Sequence, residues 1–321
     1  KMSGEVESAS ELTPELRVFV EFVAKKGREL YRDLPWRRTY DPYAIWISEV
    51  MLQQTQVSRV DGRWQRWLER FPTVDALAAA APSDVLEEWQ GLGYNRRALS
   101  VHRAAQAISE AGGIFPQDSK ELVKLPGIGP ATAAGIRAFA FNLHGVYLET
   151  NVRTVFLHEL YPQAEGVPDS ELVPLVELTC PASVADAVNA DSAANVVNAD
   201  STENAVDADG AANDAKAALT PRSWYYALLD YGAYLKKTIP NPSRRSKSHV
   251  KQSRFEGSHR QKRAELLRVL LAHKDEGGAV FETLHQELCQ IEVNAGRETL
   301  DEQVTLGLLE ELAKEGFCQK N

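Results

Sequence analysis

Apolar positions recur with a helical period along most of this chain. Residues 14–31 place Leu16, Phe19 and Val23 on one face, and Pro14 suits the first helical position, where no N–H partner is needed. Polar breaks with good capping residues separate the later apolar stretches. The pattern therefore predicts an all-α protein, with further helices over 43–57, 61–70, 74–80, 83–90, 95–111, 130–142, 150–161, 260–272, 279–288 and 298–315.

Length and composition restrict the class of protein. The chain has 321 residues, enough for two or three domains, and contains no apolar run long enough to span a membrane. The polar residues 1–13 lack the apolar core of a signal peptide. Cys180, Cys289 and Cys318 lie far apart, which is typical of reduced thiols and too few for a four-cysteine iron–sulfur cluster. We expect a cytoplasmic, nucleoid-associated protein with no membrane partner.

Charge is distributed unevenly along the chain. The formal net charge is −9, but residues 236–263 carry ten Lys or Arg and one Glu. Phosphate binding depends on such local basic surface rather than on the total charge. We interpret 236–263 as a phosphate-facing basic loop, with a disordered basic linker as the alternative. Residues 181–219, rich in Ala, Asp, Asn and Val, are interpreted as a disordered acidic insertion.

A glycine turn that opens a helix is the most informative segment. Residues 125–134 read LPGIGPATAA, in which Gly127 and Gly129 permit positive φ and Pro130 suits the first helical position. The free N–H groups at such a helix start attract anions. The amides of Gly127, Gly129 and Ala131, with Thr132 beside them, are therefore predicted to hold a phosphate.

Two carboxylates lie in settings that suit chemistry. Glu49 falls in the middle of the apolar helix 43–57, where desolvation would raise its pKa and suit it to donate a proton. Gln53 and Gln54 follow about one turn later on that helix. Glu149 lies in the segment LETNVR, and Asn151 stands near the start of the following helix.

Aromatic and basic residues in loops are further candidates for contact with nucleic acid. Trp36 and Arg37 stand together in a break after the first helix, where the Trp would either stack on a base or pack at the domain edge. The turn Gly91-Leu92-Gly93-Tyr94 precedes a helix that carries Arg96. Tyr94 is our candidate for intercalation, with a core Tyr as the alternative.

Three of these segments, SEVMLQQTQV, GLGY and LPGIGPAT, together resemble the adenine DNA glycosylases (MutY-type) of the helix-hairpin-helix base-excision superfamily. The resemblance covers about residues 30–180 and 220–235. It implies a two-lobed helix-hairpin-helix core, with residues 40–145 as a six-helix lobe. Residues 1–39 and 146–240 would form the second lobe, 236–259 a linker, and 260–321 a small module that is either winged-helix-like or a plain helical packing domain.

The resemblance also implies an activity on DNA. Glu49 would protonate a flipped adenine at N7, and Glu149 would stabilise the sugar cation with Asn151 nearby. Gln53, Gln54 and Tyr94 would fill the gap in the duplex or probe the partner strand. The partner would be double-stranded DNA with a mismatched adenine, opposite 8-oxoguanine or G, bound by a monomer. The backbone carbonyls of Val123, Leu125 and Ile128 could ligate one Na⁺ or K⁺, with no other cofactor.

The chain departs from the family at several positions. Glu149 stands where the family has Asp, and a shift of the carboxylate by about 1 Å can cost roughly 10²-fold in rate. Lys236, Ser243 and Ser246 stand about where the first cluster cysteines should be, so we expect no iron–sulfur cluster. Ala131 occupies the place of the Schiff-base lysine of bifunctional relatives, so no lyase step is expected. A counterpart of the family's Nudix-like C-terminal domain, which reads 8-oxoguanine, is not recognisable.

Two alternatives stay open from the sequence. One is a mismatch thymine or uracil glycosylase of the same fold, against which Glu49 argues because pyrimidines have no N7. The other is a DNA-binding protein that has kept the hairpin and lost the chemistry.

Overall fold

The computed structural model of the chain describes residues 12–183, 218–248 and 254–319, and within them the secondary structure is helical apart from an isolated bridge between Val167 and Ser246. No helix in these ranges is both long and apolar enough to cross a membrane. The helices are α1 (Pro14–Glu29), α2 (Pro42–Leu52), α3 (Val57–Val60), α4 (Arg63–Arg70), α5 (Val74–Ala79), α6 (Pro82–Trp89), α7 (Arg96–Glu110), α8 (Ser119–Leu122), α9 (Pro130–Phe141), α10 (Thr150–Glu159), α11 (Asp169–Thr179), α12 (Pro221–Thr238), α13 (His259–Ala272), α14 (Phe281–Asn294) and α15 (Glu302–Glu315), with 3₁₀ turns at Pro35–Arg38, Pro242–Arg245 and Lys274–Glu276.

The helix boundaries largely follow the capping signals. Thr13 caps α1, its hydroxyl accepting the amide of Leu16 at 3.3 Å. The predicted helix over 43–57 is wrong at its C-terminal end, because α2 stops at Leu52. Gln54 has a φ of 53°, which an α-helix does not allow, and the chain resumes as the short α3.

The chain divides into two compact units. One unit contains residues 1–42 and 130–249, and the other contains residues 43–129 and 250–321. This division differs from the expected lobe boundary at 145, because α9 belongs with α12 in the first unit. Phe139 of α9 stacks on Tyr226 with ring centroids 4.5 Å apart. The predicted acidic insertion, 181–219, lies almost wholly outside the described residues.

In the first unit, α12 is the central helix and packs against α1 and α10. Trp224, Tyr225 and Leu228 are completely buried. Helix α1 approaches closely because residue 27 is glycine: a Cβ there would lie 2.2 Å from the Cβ of Ala227. The close contact therefore depends on a residue without a side chain.

A buried ion pair fixes the loop after α1 in the first unit. Asp230 of α12 is buried and accepts both guanidinium nitrogens of Arg37, at 2.7 and 2.8 Å. Arg32 donates to the same carboxylate. Bidentate arginine pairing satisfies a carboxylate that would otherwise be costly to bury. This pairing fixes the position of Arg37 in the loop.

The second unit has a core rich in tryptophan. Trp46, Trp67 and Trp89 are completely buried, and Trp67 packs edge-to-face on Trp89 with centroids 5.5 Å apart. The C-terminal helices α13 to α15 belong to this same unit. Lys274 joins them to α6 through Asp84 and Glu87, at 2.9 and 2.7 Å.

The C-terminal module is helical throughout its described part, residues 254–319. Gly277, Gly278 and Gly296 lie in its turns with positive φ. A winged helix requires a β-hairpin, and no strand occurs between 254 and 319. The winged-helix expectation therefore fails, and the alternative of plain helical packing describes the module.

The loop after α12 is held by hydrogen bonds at the positions where the resemblance implied cluster cysteines. Ser243 and Ser246 are buried, and the Ser243 hydroxyl donates to Asn241 Oδ1 at 2.8 Å. The Arg245 guanidinium donates to the carbonyls of Leu157 and Tyr161, at 2.9 and 2.5 Å. An iron–sulfur cluster needs thiolate ligands. The hydroxyls of Ser243 and Ser246 and the ammonium of Lys236 therefore do not fit such a cluster.

The part of the basic loop nearest α12 is therefore structural as well as basic. Arg245 points into the first unit, whereas Arg244 and Lys247 are exposed. Residues 249–253 of the predicted loop lie outside the described residues. On α12 itself, Trp224, Tyr225 and Tyr231 are buried, whereas Tyr234 is 46% exposed.

We expect Arg245→Ala to lower the free energy of unfolding by about 2 kcal/mol, because it leaves backbone carbonyls of Leu157 and Tyr161 without their donor. Arg244→Ala is the matched control, since Arg244 is the exposed neighbour with the same charge. Urea denaturation of both variants measures the difference. Equal unfolding energies for the two would show that Arg245 does not hold the loop.

Candidate DNA-processing site

Helix α2 presents Glu49 from an otherwise buried surface. Its residues Tyr43 to Ser48, together with Val50 and Met51, are all buried. Glu49 itself is partly exposed, so a carboxylate emerges where the helix leaves the core. Trp46, one turn earlier, packs on Phe115 with ring centroids 5.5 Å apart. The apolar setting predicted for Glu49 is present.

Arg97 fixes the C-terminal end of α2 and the glycine turn before α7. Its guanidinium donates to the carbonyls of Val50 and Gln53, both at 2.7 Å, and to that of Gly93 at 2.9 Å. It also reaches the hydroxyl of Thr55 at 3.2 Å. Burial lowers the pKa of Arg97 to about 10, so the side chain stays charged at neutral pH. The Arg97 side chain thus orients both the C-terminal end of α2 and the glycine turn before α7.

Gln54 and Tyr94 lie on these two segments in unusual backbone conformations. Their φ angles are 53° and 51°, in the left-handed region that side chains other than glycine rarely adopt. Both residues are exposed, and Tyr94 is 39% exposed. Strained residues of this kind cluster at functional sites. The core-tyrosine alternative for Tyr94 is therefore not supported.

The hairpin turn has one glycine that the fold requires. Gly127 has a φ of 76°, and a Cβ there would lie 2.6 Å from Cβ of Ser100 on α7. Gly129 has no positive φ, and a Cβ there would meet open space. Both glycines are exposed, as a role at a phosphate requires. Only Gly127 is needed for the turn itself.

The helix that follows the turn belongs to the first unit. Helix α9 starts at Pro130, as predicted, and Ala131 in its first turn is partly exposed. The side chain of Thr132 is buried, so only its backbone amide suits the predicted phosphate contact.

The prediction that Trp36 and Arg37 contact DNA is wrong, because both side chains are buried. Trp36 is 4% exposed and Arg37 is 6% exposed. Arg37 faces Asp230 and packs over the ring of Tyr226, with its guanidinium carbon 4.3 Å from the ring centroid. Neither side chain can stack on a base from this position. The alternative, a Trp packed within the domain, is the one that holds.

Glu149 caps the helix α10. Its Oε1 accepts the amides of Asn151 and Val152, at 2.6 and 3.1 Å. Burial raises the pKa of Glu149, while the ammonium group of Lys236 and these amides act in the opposite direction. The side chain of Asn151 lies beside it, and its Oδ1 is a buried atom without a hydrogen-bond partner in the described part of the first unit. An unsatisfied acceptor therefore adjoins the carboxylate.

A groove in the second unit joins the α2–α7 segments to the C-terminal module. The cavity has a volume of about 850 Å³ and is lined by Gln53 and Tyr94 on one side and by Phe255, His259 and Arg260 on the other. Arg96 borders it and is paired with Glu315 of α15 at 2.8 Å. The module, for which the sequence indicated no specific contact, thus lines the same cavity as the predicted DNA-binding residues.

Sequence reasoning missed Arg97 and Arg245 as positioning residues. Arg97 is adjacent to Arg96 after the GLGY turn, and the sequence does not show which of the two is buried. Its carbonyl partners lie 44 to 47 residues away at Gln53, Met51 and Val50. Arg245 sits in a run of basic residues that suggested a solvated surface.

The comparisons with known proteins agree with this geometry. Residues 47–205 match the model of the HhH-GPD superfamily of base excision DNA repair proteins. This matched segment, just under half of the chain, is similar to that superfamily. The matched residues include Glu49, the glycine turns and Glu149.

Two curated proteins that are similar to this chain carry the same description. The adenine DNA glycosylase of Mycolicibacterium smegmatis is 42% identical over 152 residues, which are 47% of this chain and 52% of the relative. The human adenine DNA glycosylase is 39% identical over 134 residues, which are 39% of this chain and 24% of the relative. The chain thus spans about half, or less, of the length of these relatives.

A solved structure shows the same fold. A thermostable thymine-DNA glycosylase superposes with a TM-score of 0.53 at 20% identity, over 71% of this chain and 90% of that protein. At this identity the likeness concerns the fold, and it supports the all-α, two-lobed helix-hairpin-helix core.

The predicted alkali-metal site involves backbone carbonyls of the hairpin turn. The carbonyl of Leu125 accepts the amide of Ile128 at 3.2 Å, which leaves one of its lone pairs for a cation. Val123 lies exposed at the end of α8. These carbonyls are compatible with Na⁺ or K⁺, and the site stays a prediction.

We expect Gly127→Ala to lower the free energy of unfolding by about 1–3 kcal/mol, the cost of a left-handed conformation at a residue with a Cβ, with a further clash against Ser100. Gly129→Ala is the matched control in the same turn and should leave stability nearly unchanged. Thermal denaturation of both variants tests this. A comparable loss for both would contradict the different roles of the two glycines.

We expect Arg97→Met to cost about 3 kcal/mol, because several backbone carbonyls lose a charged donor at once. Hydrogen exchange should accelerate most at residues 91–95 and 53–55. Arg103→Met is the control, an exposed arginine on the same helix. A uniform acceleration over α7, or none at all, would be inconsistent with a local clamp.

Proposed function

We propose that this protein is a monofunctional DNA glycosylase of base excision repair that hydrolyses the N-glycosidic bond of a mispaired adenine. The observation that carries the proposal is the setting of Glu49, a partly exposed carboxyl on a helix whose neighbouring side chains are all buried. A carboxyl in such a setting suits a general acid at neutral pH. The adenine glycosylases among the relatives support adenine as the base.

The substrate nucleotide must leave the duplex before its glycosidic bond can be reached. The exposed turn at Gly127 and Gly129 would hold a phosphate of the strand. Gln54 and Tyr94, which the Arg97 clamp presents to solvent, would enter the space the nucleotide vacates. The groove lined by Tyr94 and the C-terminal module would accept DNA beside this point.

Glu49 would donate a proton to N7 of the flipped adenine, which weakens the C–N bond. The base departs with the bonding electron pair, and positive charge develops on the sugar. The Glu149 carboxylate would stabilise that cation. Water then adds to C1′ and gives its proton to the Glu49 carboxylate, which the first step left unprotonated. Ala131 supplies no amine, so we propose that no lyase step follows.

The longer side chain of Glu149 is compatible with this role. Its Oε1 accepts the first amides of α10, so the carboxylate is held at the positive end of the helix. The helix start therefore fixes the carboxylate despite the extra methylene relative to Asp. We also propose that catalysis proceeds without an iron–sulfur cluster, that the protein acts as a monomer on double-stranded DNA, and that the opposite base is 8-oxoguanine or G.

Single-turnover assays on duplexes containing A opposite 8-oxoguanine, A opposite G, T opposite G and U opposite G test the proposal. Wild type should release adenine, and alkali treatment should then cleave the strand. Glu49→Gln should lower the rate by about 10²–10⁴-fold, the usual contribution of a general acid. Glu110→Gln, an exposed glutamate on α7, is the control and should match wild type.

The pattern of products separates the other readings. Release of T or U instead of adenine would replace the adenine assignment by a pyrimidine mismatch glycosylase. Binding to all duplexes without release of any base would indicate a DNA-binding protein. Strand cleavage without alkali would contradict the absence of a lyase step.

A further inference from the structure

Helices α10 and α12 approach each other unusually closely at the start of α10. Residue 232 is glycine, and a Cβ there would lie 2.3 Å from the carbonyl oxygen of Asn151. The α12 backbone therefore contacts the first turn of the helix that Glu149 caps. Residues four apart lie on the same face of a helix. The side chain one turn after Gly232 on this face is that of Lys236.

Lys236 and Lys237 differ in environment although they are neighbours. Lys236 is partly buried, whereas Lys237 is exposed. Glu149 is also partly buried, and its carboxylate is fixed by the amide of Asn151 at 2.6 Å. Lys236 thus lies on the face of α12 that contacts the start of α10.

We propose that Lys236 is a positioning residue, the counter-charge that keeps Glu149 a carboxylate where the sugar cation develops. The inference rests on the proposed function, in which Glu149 must be negatively charged. It gives a role to a residue at a position where the resemblance implied a cluster cysteine.

Electrostatics support this arrangement from both partners. Burial raises the pKa of Glu149, and the Lys236 charge is the largest influence that lowers it. Burial lowers the pKa of Lys236, and the Glu149 charge raises it again. Arg32, from the loop after α1, also faces Lys236, but Arg32 is itself paired with Asp230. The amides of Asn151 and Val152 face Glu149 from its own helix.

The expected consequence concerns the acidic side of the pH–rate profile. A carboxylate that must be ionised supports catalysis above its pKa, and activity is lost as the pH falls through that value. Removal of the Lys236 charge should raise the pKa of Glu149 further. An opposite charge near a carboxylate changes its pKa by roughly one unit or more. The acidic limb should therefore move to higher pH by about one unit.

The test compares single-turnover adenine excision against pH for wild type, Lys236→Gln, Lys236→Arg and Lys237→Gln. The Lys236→Gln limb should shift by about one pH unit, whereas Lys236→Arg, which keeps the charge, should follow wild type. Lys237→Gln removes the same charge from the exposed neighbouring position and should also follow wild type. Superimposable limbs for Lys236→Gln and Lys237→Gln would overturn the proposal.

A second readout does not depend on activity. In protein labelled with ¹³C at glutamate carboxyls, the Glu149 signal is assigned by its loss in Glu149→Gln, and its titration is followed in each lysine variant. A higher midpoint in Lys236→Gln supports the proposal, and an unchanged midpoint refutes it. If Lys236→Gln fails to fold, Lys236→Met, which keeps the apolar stem, is used in its place. If wild type releases no adenine, the proposed function fails while this titration still decides the role of Lys236.

Discussion

The arrangement of the candidate site depends first on the half-buried cation of Arg97. Its guanidinium satisfies carbonyls at the end of α2 and in the turn before α7, which are remote in sequence. Without it these carbonyls would be buried without donors, at a cost of kilocalories each. The same contacts hold Gln54 and Tyr94 in left-handed conformations that local preferences oppose. The hydrogen bonds of Arg97 thus stabilise the strained conformations of Gln54 and Tyr94.

Arginine side chains also stabilise loops in the first unit. Asp230 accepts Arg37 and Arg32, and Arg245 donates to carbonyls of Leu157 and Tyr161. Arginine suits both tasks because its planar group offers several donors in fixed directions. Hydrogen bonds from Arg245 and Ser243 therefore give the loop after α12 a defined shape.

The two candidate carboxylates are prepared in different ways. Glu49 is partly exposed on a helix whose neighbouring side chains are buried. Burial raises the pKa of Glu149, and the helix amides and the Lys236 charge act against that effect. Environments that separate the protonation of two carboxyl groups are the usual basis for distinct acid and stabilising roles. Side-chain packing sets the environment of Glu49, and the start of α10 sets that of Glu149.

The sequence by itself determined the helical class, the start of α1 at Pro14, the hairpin turn at Gly127 and the apolar setting of Glu49, because these depend on local periodicity and on residues next to one another. Only the tertiary structure decided that Trp36 and Arg37 are buried, and Asp230, the partner of Arg37, lies 193 residues away from it. It also decided that α9 packs with α12 and that Arg97 is half-buried whereas Arg96 is exposed. Charge pairs and close helix contacts join distant segments, and a linear pattern carries no information on which distant groups will meet.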